Sequence, residues 1–112
     1  MGVEPTVELL WWRGCPSWED ALAILREEME GVGIGPGALD VREVRTDRDA
    51  DLEGFVGSPT IRVNGRDLQP PGDEPMGLTC RVYRLRDGRI SPLPDRAEVR
   101  EALVGTIVED DH

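Results

Sequence analysis

Residues 7 to 12 are apolar at every position but one, with Val7, Leu9, Leu10, Trp11 and Trp12 broken only by Glu8. A strand with one face in water alternates apolar with polar residues. A near-continuous run instead calls for burial on both faces, as in a sheet covered by helices on both sides. The adjacent tryptophans must then point to opposite faces. From Trp18 onward, Ala21, Leu22, Leu25 and Met29 recur at helical spacing, with Glu19, Asp20, Arg26, Glu27, Glu28 and Glu30 mostly on the other side. Pro16 suits the first turn of that helix, and Gly31-Val32-Gly33 ends it. The segment is therefore a buried strand feeding a helix, with Cys15 at the junction.

The remaining elements follow from periodicity and turn chemistry. Leu39 to Arg45 gives a second strand, parallel to the first because a helix lies between them. Thr46 to Gly54 reads as a short acidic helix capped by Thr46 or Asp47, and Thr60 to Val63 as a strand ending in the turn pair Asn64-Gly65. A Pro/Gly-rich loop spans Asp67 to Gly77, and Thr79 to Leu85 alternates like an edge or hairpin strand before the turn Asp87-Gly88. Asp95 with Glu98 resembles a capping box opening a last helix with Val99, Ala102 and Leu103 inward. The 112 residues suit one domain, 1–112, with its core in about 6–104 and residues 105–112 as a fraying tail.

Composition removes many chemistries. The chain has no lysine, and its one histidine is the terminal His112. A Schiff-base lysine, a phosphate-loop lysine and a histidine-rich zinc site need residues that are absent, and a Ser/His/Asp triad or a Cys/His dyad would need the terminal His112 to fold back. A net charge of −10 argues against nucleic acid and anionic membranes as partners. No stretch reaches membrane-spanning length, and Met1-Gly2-Val3-Glu4-Pro5 lacks the pattern of a secretory signal, so a cytoplasmic location is expected. Arginine as the sole basic residue besides that histidine fits a high-GC bacterial coding bias.

Two thiols, carboxylates, arginines, hydroxyls and Tyr83 remain. Cys15 is the first candidate for chemistry, because a thiol between a strand and a helix N-terminus meets unpaired N–H groups that favour thiolate. Arg13 would add to that effect, whereas Glu19 and Asp20 would oppose it. Cys80, sixty-five residues downstream, is either a core cysteine or a second reactive thiol. The acidic run Asp47, Asp49, Asp51 and Glu53 lacks the glycine and closing glutamate of a calcium loop and reads as a solvated face. Neither a cofactor nor a resident metal is expected.

The order β-α-β-α-β-β-α, with Cys15-Pro16-Ser17-Trp18 at the first helix and Ser58-Pro59 ahead of the third strand, resembles the thioredoxin fold over residues 6 to 104. That resemblance implies a three-layer α/β architecture, a mixed sheet of about four strands and helices on both faces. It also implies a cis bond at Pro59 facing Cys15, which would leave the backbone of Ser58 free to pair with an extended substrate. Trp18 stands where that superfamily carries its second cysteine, so dithiol exchange within the motif is ruled out. Trp18 would instead line a contact surface.

More narrowly, Gly14-Cys15-Pro16-x-Trp18, Gly57-Ser58-Pro59-Thr60, Val63-Asn64-Gly65-Arg66-Asp67 and Gly77-Leu78-x-Cys80-Arg81-x-Tyr83-Arg84 resemble a group of small bacterial thioredoxin-like proteins. Some of these contain selenocysteine and some are labelled alkylmercury lyases. The resemblance implies a thiol redox protein with Cys15 as nucleophile, Cys80 as resolving thiol, and Arg13, Trp18, Ser58, Pro59 and Thr60 around the substrate. Its partner would be a protein or small-molecule thiol or disulfide. Two alternatives stand beside it: capture of a soft metal or organomercurial by Cys15 and Cys80, and a redox-inert binding module. Organomercurial cleavage would need a carboxylate to join the two thiols.

Overall fold

The computed structural model describes residues 5–70, 72 and 75–109. In chain order the elements are β1 (Val7–Trp11), α1 (Trp18–Gly31), a 3-10 turn (Pro36–Ala38), β2 (Leu39–Glu43), α2 (Asp47–Glu53), β3 (Thr60–Val63), β4 (Arg66–Asp67), β5 (Tyr83–Arg84), β6 (Ile90–Ser91) and α3 (Arg96–Glu109). The expectations for Met1 to Glu4, for Pro71, Asp73 and Glu74 of the loop, and for Asp110 to His112 fall outside the described residues.

The apolar run does what its composition demands. β1 lies inside a four-stranded mixed sheet of order β2-β1-β3-β4, parallel to β2 from Val7↔Leu39 to Trp11↔Glu43 and antiparallel to β3 from Val7↔Val63 to Leu10↔Thr60. Val7 and Leu9 pack with Ala21, Ile24, Leu25 and Met29 of α1 and with Val99 and Leu103 of α3. Leu10 packs in a second cluster with Val44, Ala50 of α2 and Phe55. Trp11 joins the first cluster and Trp12 the second, one tryptophan to each face.

Local signals placed most boundaries. The Thr46 hydroxyl accepts the Asp49 N–H at 3.0 Å and caps α2, which ends at Gly54 with φ of 65°. Asp95 accepts the Ala97 N–H at 2.9 Å at the start of α3, but Glu98 turns away and accepts from the Gln69 amide at 2.9 Å, leaving the capping box half formed. Pro16 sits in a turn ahead of α1 rather than in its first turn, and α3 runs to Glu109, past the expected end of the core.

Two strands differ from expectation. Asn64 and Gly65 both have positive φ, 52° and 80°, the two-residue geometry that folds a chain straight back on itself. Arg66 and Asp67 therefore pair with β3 as β4, where a loop was expected to begin. β4 takes the sheet edge that was one of the two places expected for residues 79 to 85; the other, a hairpin, is the one that forms. Of those, only Tyr83 and Arg84 are strand, paired with Ile90 and Ser91 in a separate two-stranded sheet, and Cys80 forms an isolated parallel bridge with Ser58.

Glu28, expected on the outer side of α1, is 6% exposed. It accepts from Arg100 Nε at 2.8 Å and Arg96 Nη1 at 3.2 Å. Both guanidinium groups hold its carboxyl below the ordinary range, and the contact joins α1 to α3.

Candidate thiol site

The turn that carries Cys15 is shaped by its neighbours. The Cys15 N–H donates to the Trp12 carbonyl at 3.0 Å, closing the turn directly after β1. A Cβ on Gly14 would lie 2.4 Å from the Trp12 ring, so only glycine lets that indole cross the turn. Ser17 occupies the N-cap position of α1, yet its side chain caps no helical N–H. Its hydroxyl instead lies 3.2 Å from Cys15 Sγ.

The other half of the site comes from residues 57–60 and 79–83, which are pinned together. Ser58 N–H donates to the Thr79 carbonyl at 2.8 Å, and Arg81 N–H donates to the Ser58 carbonyl at 3.0 Å. Gly57 has φ of 142°, and a Cβ there would lie 2.8 Å from Arg81 Cβ and 2.9 Å from Arg81 N, so this approach too requires glycine. Arg81 Nη1 pairs with Asp67 at 2.7 Å, both side chains about nine-tenths buried, while Nη2 donates to the Gln69 carbonyl at 2.9 Å. The Arg81 guanidinium also lies 4.5 Å from the ring centre of Tyr83, whose hydroxyl donates to the Pro59 carbonyl at 2.5 Å. The Ser58-Pro59 bond is cis.

This lattice brings Cys80 to Cys15. Cys15 is 1% exposed, and its thiol donates to the Ser58 carbonyl at 3.3 Å. Burial pushes the Cys15 thiol up, but the Ser17 hydroxyl, the Cys80 thiol, the Ser17 N–H and, most weakly, the Ser58 hydroxyl outweigh it and bring the pKa below the ordinary 9.0. Cys80, although exposed, moves the other way, raised to about 11 by partial desolvation against the neighbouring segment and by its hydrogen bond and charge interaction with Cys15. The proton is therefore lost more readily from Cys15 than from Cys80. The Ser58 hydroxyl is buried and has no hydrogen-bond partner of good geometry, which leaves a donor beside the sulfur where charge would develop.

Several expectations are corrected. Arg13 is exposed and is not among the groups that perturb Cys15; local hydroxyl and amide donors take the part expected of it. Trp18 stacks on Trp11 with ring centres 3.9 Å apart and planes at 14°, half-buried against the main core. Thr60 is buried, and its hydroxyl donates to the Gly57 carbonyl at 2.6 Å. Pro59 is likewise buried. The backbone of Ser58 is not free for an extended ligand, because residues 79 to 81 of the same chain occupy both of its hydrogen-bonding groups.

Ser17, Asp67, Arg81 and Tyr83 matter to the site without having been singled out for it. A hydroxyl two residues after a cysteine was a readable hint, whereas the Asp67–Arg81 pair depends on the hairpin that creates β4. Among the described residues, no three of His, Cys, Asp or Glu converge as a metal site, so no carboxylate joins the two thiols. Nor is any helix among them long and apolar enough to cross a membrane. In comparisons with known proteins, no protein-family model and no curated protein matches this sequence, and the functional reading rests on the site.

Proposed function

We propose that this protein is a thioredoxin-like thiol redox protein that cycles between a Cys15/Cys80 dithiol and a Cys15–Cys80 disulfide. The observation that carries the reading is that both thiols meet at one residue: Cys15 donates to the Ser58 carbonyl at 3.3 Å, and Cys80 forms the backbone bridge with Ser58. Support for the thioredoxin-like part comes from the sheet order β2-β1-β3-β4, the parallel β1/β2 pair around α1, and the cis Ser58-Pro59 bond next to the thiol. Oxidation removes one hydrogen from each thiol and passes two electrons to the oxidant. The oxidant is a disulfide or peroxide, and the return requires an external thiol.

Mild peroxide treatment followed by intact-mass measurement and peptide mapping tests the reading. Wild type should lose two hydrogens and yield a Cys15–Cys80 linked peptide, while Cys15→Ser and Cys80→Ser should give sulfenic acid or intermolecular adducts instead. Two thiols left unreacted under conditions that oxidise an ordinary exposed cysteine would sink the redox reading. Stoichiometric uptake of Cu(I) or Hg(II), lost in either variant, would then move the assignment to soft-metal binding.

A further inference from the structure

The two sulfurs are unequally placed. Cys15 is 1% exposed, enclosed between its own turn and the Ser58 carbonyl. Cys80 is exposed and opens on a cleft of about 410 Å³ walled by Val56, Pro70, Pro75 and Val82. Thiol–disulfide exchange proceeds by direct attack of one sulfur on another, so an external partner can react only with a sulfur it can reach. We propose that Cys80, not Cys15, is the sulfur that exchanges with external thiols and disulfides, forming the mixed disulfide in the Val56/Pro70/Val82 cleft, while Cys15 closes and reopens the internal bond. This assignment rests on the thiol-pair reading given above.

The steps balance in both directions. Reducing the internal disulfide, an external thiolate attacks Cys80 Sγ. A bond forms between the external sulfur and Cys80, the Cys15–Cys80 bond breaks, and its electron pair leaves on Cys15, where the Ser17 hydroxyl and N–H receive the charge. A second external thiolate attacks the external sulfur of the mixed disulfide, giving an external disulfide and Cys80 thiolate, which takes a proton. In oxidation, Cys80 gives up its proton, attacks an external disulfide and releases one thiol; Cys15 thiolate then attacks Cys80 Sγ and displaces the second.

Leaving-group chemistry points the same way as access. A lower-pKa thiol leaves faster, so attack at Cys80 ejects the stabilised Cys15 thiolate, whereas attack at Cys15 would eject Cys80, whose thiol sits at about 11. The cleft walls supply no free cation for an acidic partner, since Arg81 at its edge is committed to Asp67.

The experiment starts from wild-type protein oxidised to the internal disulfide. It is mixed briefly with excess 2-mercaptoethanol, quenched in acid, alkylated and mapped for the position of the mercaptoethanol adduct. Adducts at Cys80 should exceed those at Cys15 by about ten-fold or more; equal or reversed proportions would overturn the assignment. As a second readout, reduced Cys15→Ser should react with neutral dithiodipyridine at Cys80 as fast in native buffer as its exposure allows. Cys80→Ser should react at Cys15 about ten-fold or more slowly until denaturant is added. A fast native reaction at Cys15 would also overturn the proposal. Failure of wild type to form the internal disulfide in the first place is a separate result, and it counts against the thiol-pair reading itself.

Discussion

Replacing Tyr83 with phenylalanine removes one oxygen from the fully buried ring whose hydroxyl donates to the Pro59 carbonyl at 2.5 Å. The ring, its packing and the cation above it stay. What is lost is the hydrogen bond, and the Pro59 carbonyl is left facing the space the hydroxyl had filled. A neutral hydrogen bond contributes about 1 kcal/mol net, and stranding its buried acceptor raises the cost to about 1–3 kcal/mol. Urea unfolding of wild type and Tyr83→Phe should show a lower midpoint at unchanged slope, the mark of a stability change without a change in exposed area.

A pH arm isolates the cause. Burial raises the Tyr83 phenol above its ordinary 10.0, so the neutral form is the one the fold favours. A raised pKa gives stability that is fully present below the unfolded value and lost as pH rises above it. Wild type should therefore lose stability above pH 10.0, and Tyr83→Phe should lose this component. The chain has a single tyrosine, so the tyrosinate absorbance band reports this group alone. A variant within about 0.5 kcal/mol of wild type, ionising in wild type like a free phenol, would refute the claim that Tyr83 anchors the Pro59 loop.

Other perturbations separate the site's parts. Ser17→Ala removes the strongest of the donors to Cys15, so its pKa should rise and the rate–pH profile of Cys15 alkylation in Cys80→Ser should move to the alkaline side; an unmoved profile would show that the helix end alone holds the charge. Gly57→Ala places a Cβ 2.8 Å from Arg81 at a φ of 142°, which should cost about 1–3 kcal/mol in denaturation and slow formation of the Cys15–Cys80 disulfide by pushing residues 79–81 away. Unchanged stability and closure would mean that the two segments are not held as tightly as drawn. Glu28→Ala leaves two arginines that are already half exposed and can rehydrate, so the loss should be about 1–2 kcal/mol rather than that of a sealed ion pair. Because the Glu28 carboxyl is lowered from 4.5, its contribution is present above that pH and lost as pH falls through the folded value; Glu28→Gln should flatten that acid limb in urea titrations.

The parts of this structure legible in sequence are those governed by neighbours along the chain. The apolar run of β1, the 3.6-residue rhythm from Trp18 to Met29, the Thr46 cap and the Asn64-Gly65 turn each specify local geometry, and each is where it was expected. Residues 79–85 were read as an edge or hairpin strand; the hairpin forms, but only over Tyr83 and Arg84, because alternation predicts an extended segment without saying what it pairs with. The hairpin at Asn64-Gly65 fills the sheet edge, and Cys80 bridges Ser58 outside the sheet. Glu28 was misplaced for a similar reason: its charge put it with the outer residues of α1, and only the arrival of Arg96 and Arg100 from α3 made burial tolerable. Cys15 and Ser58-Pro59 could be singled out from sequence. Ser17 left a hint, a hydroxyl two residues after the cysteine, whereas the contacts by which Arg81 and Tyr83 hold the facing segment form only after folding.

The most direct test of the central claim is a redox equilibrium. Protein is equilibrated in graded ratios of reduced to oxidised dithiothreitol, quenched in acid, and the fraction carrying a Cys15–Cys80 linked peptide is measured by mass spectrometry. The account requires a single reversible two-electron transition, reached from both the oxidised and the reduced side and abolished in Cys15→Ser and in Cys80→Ser. Two thiols that remain free at every ratio, or disulfides that form only between separate molecules, would contradict it.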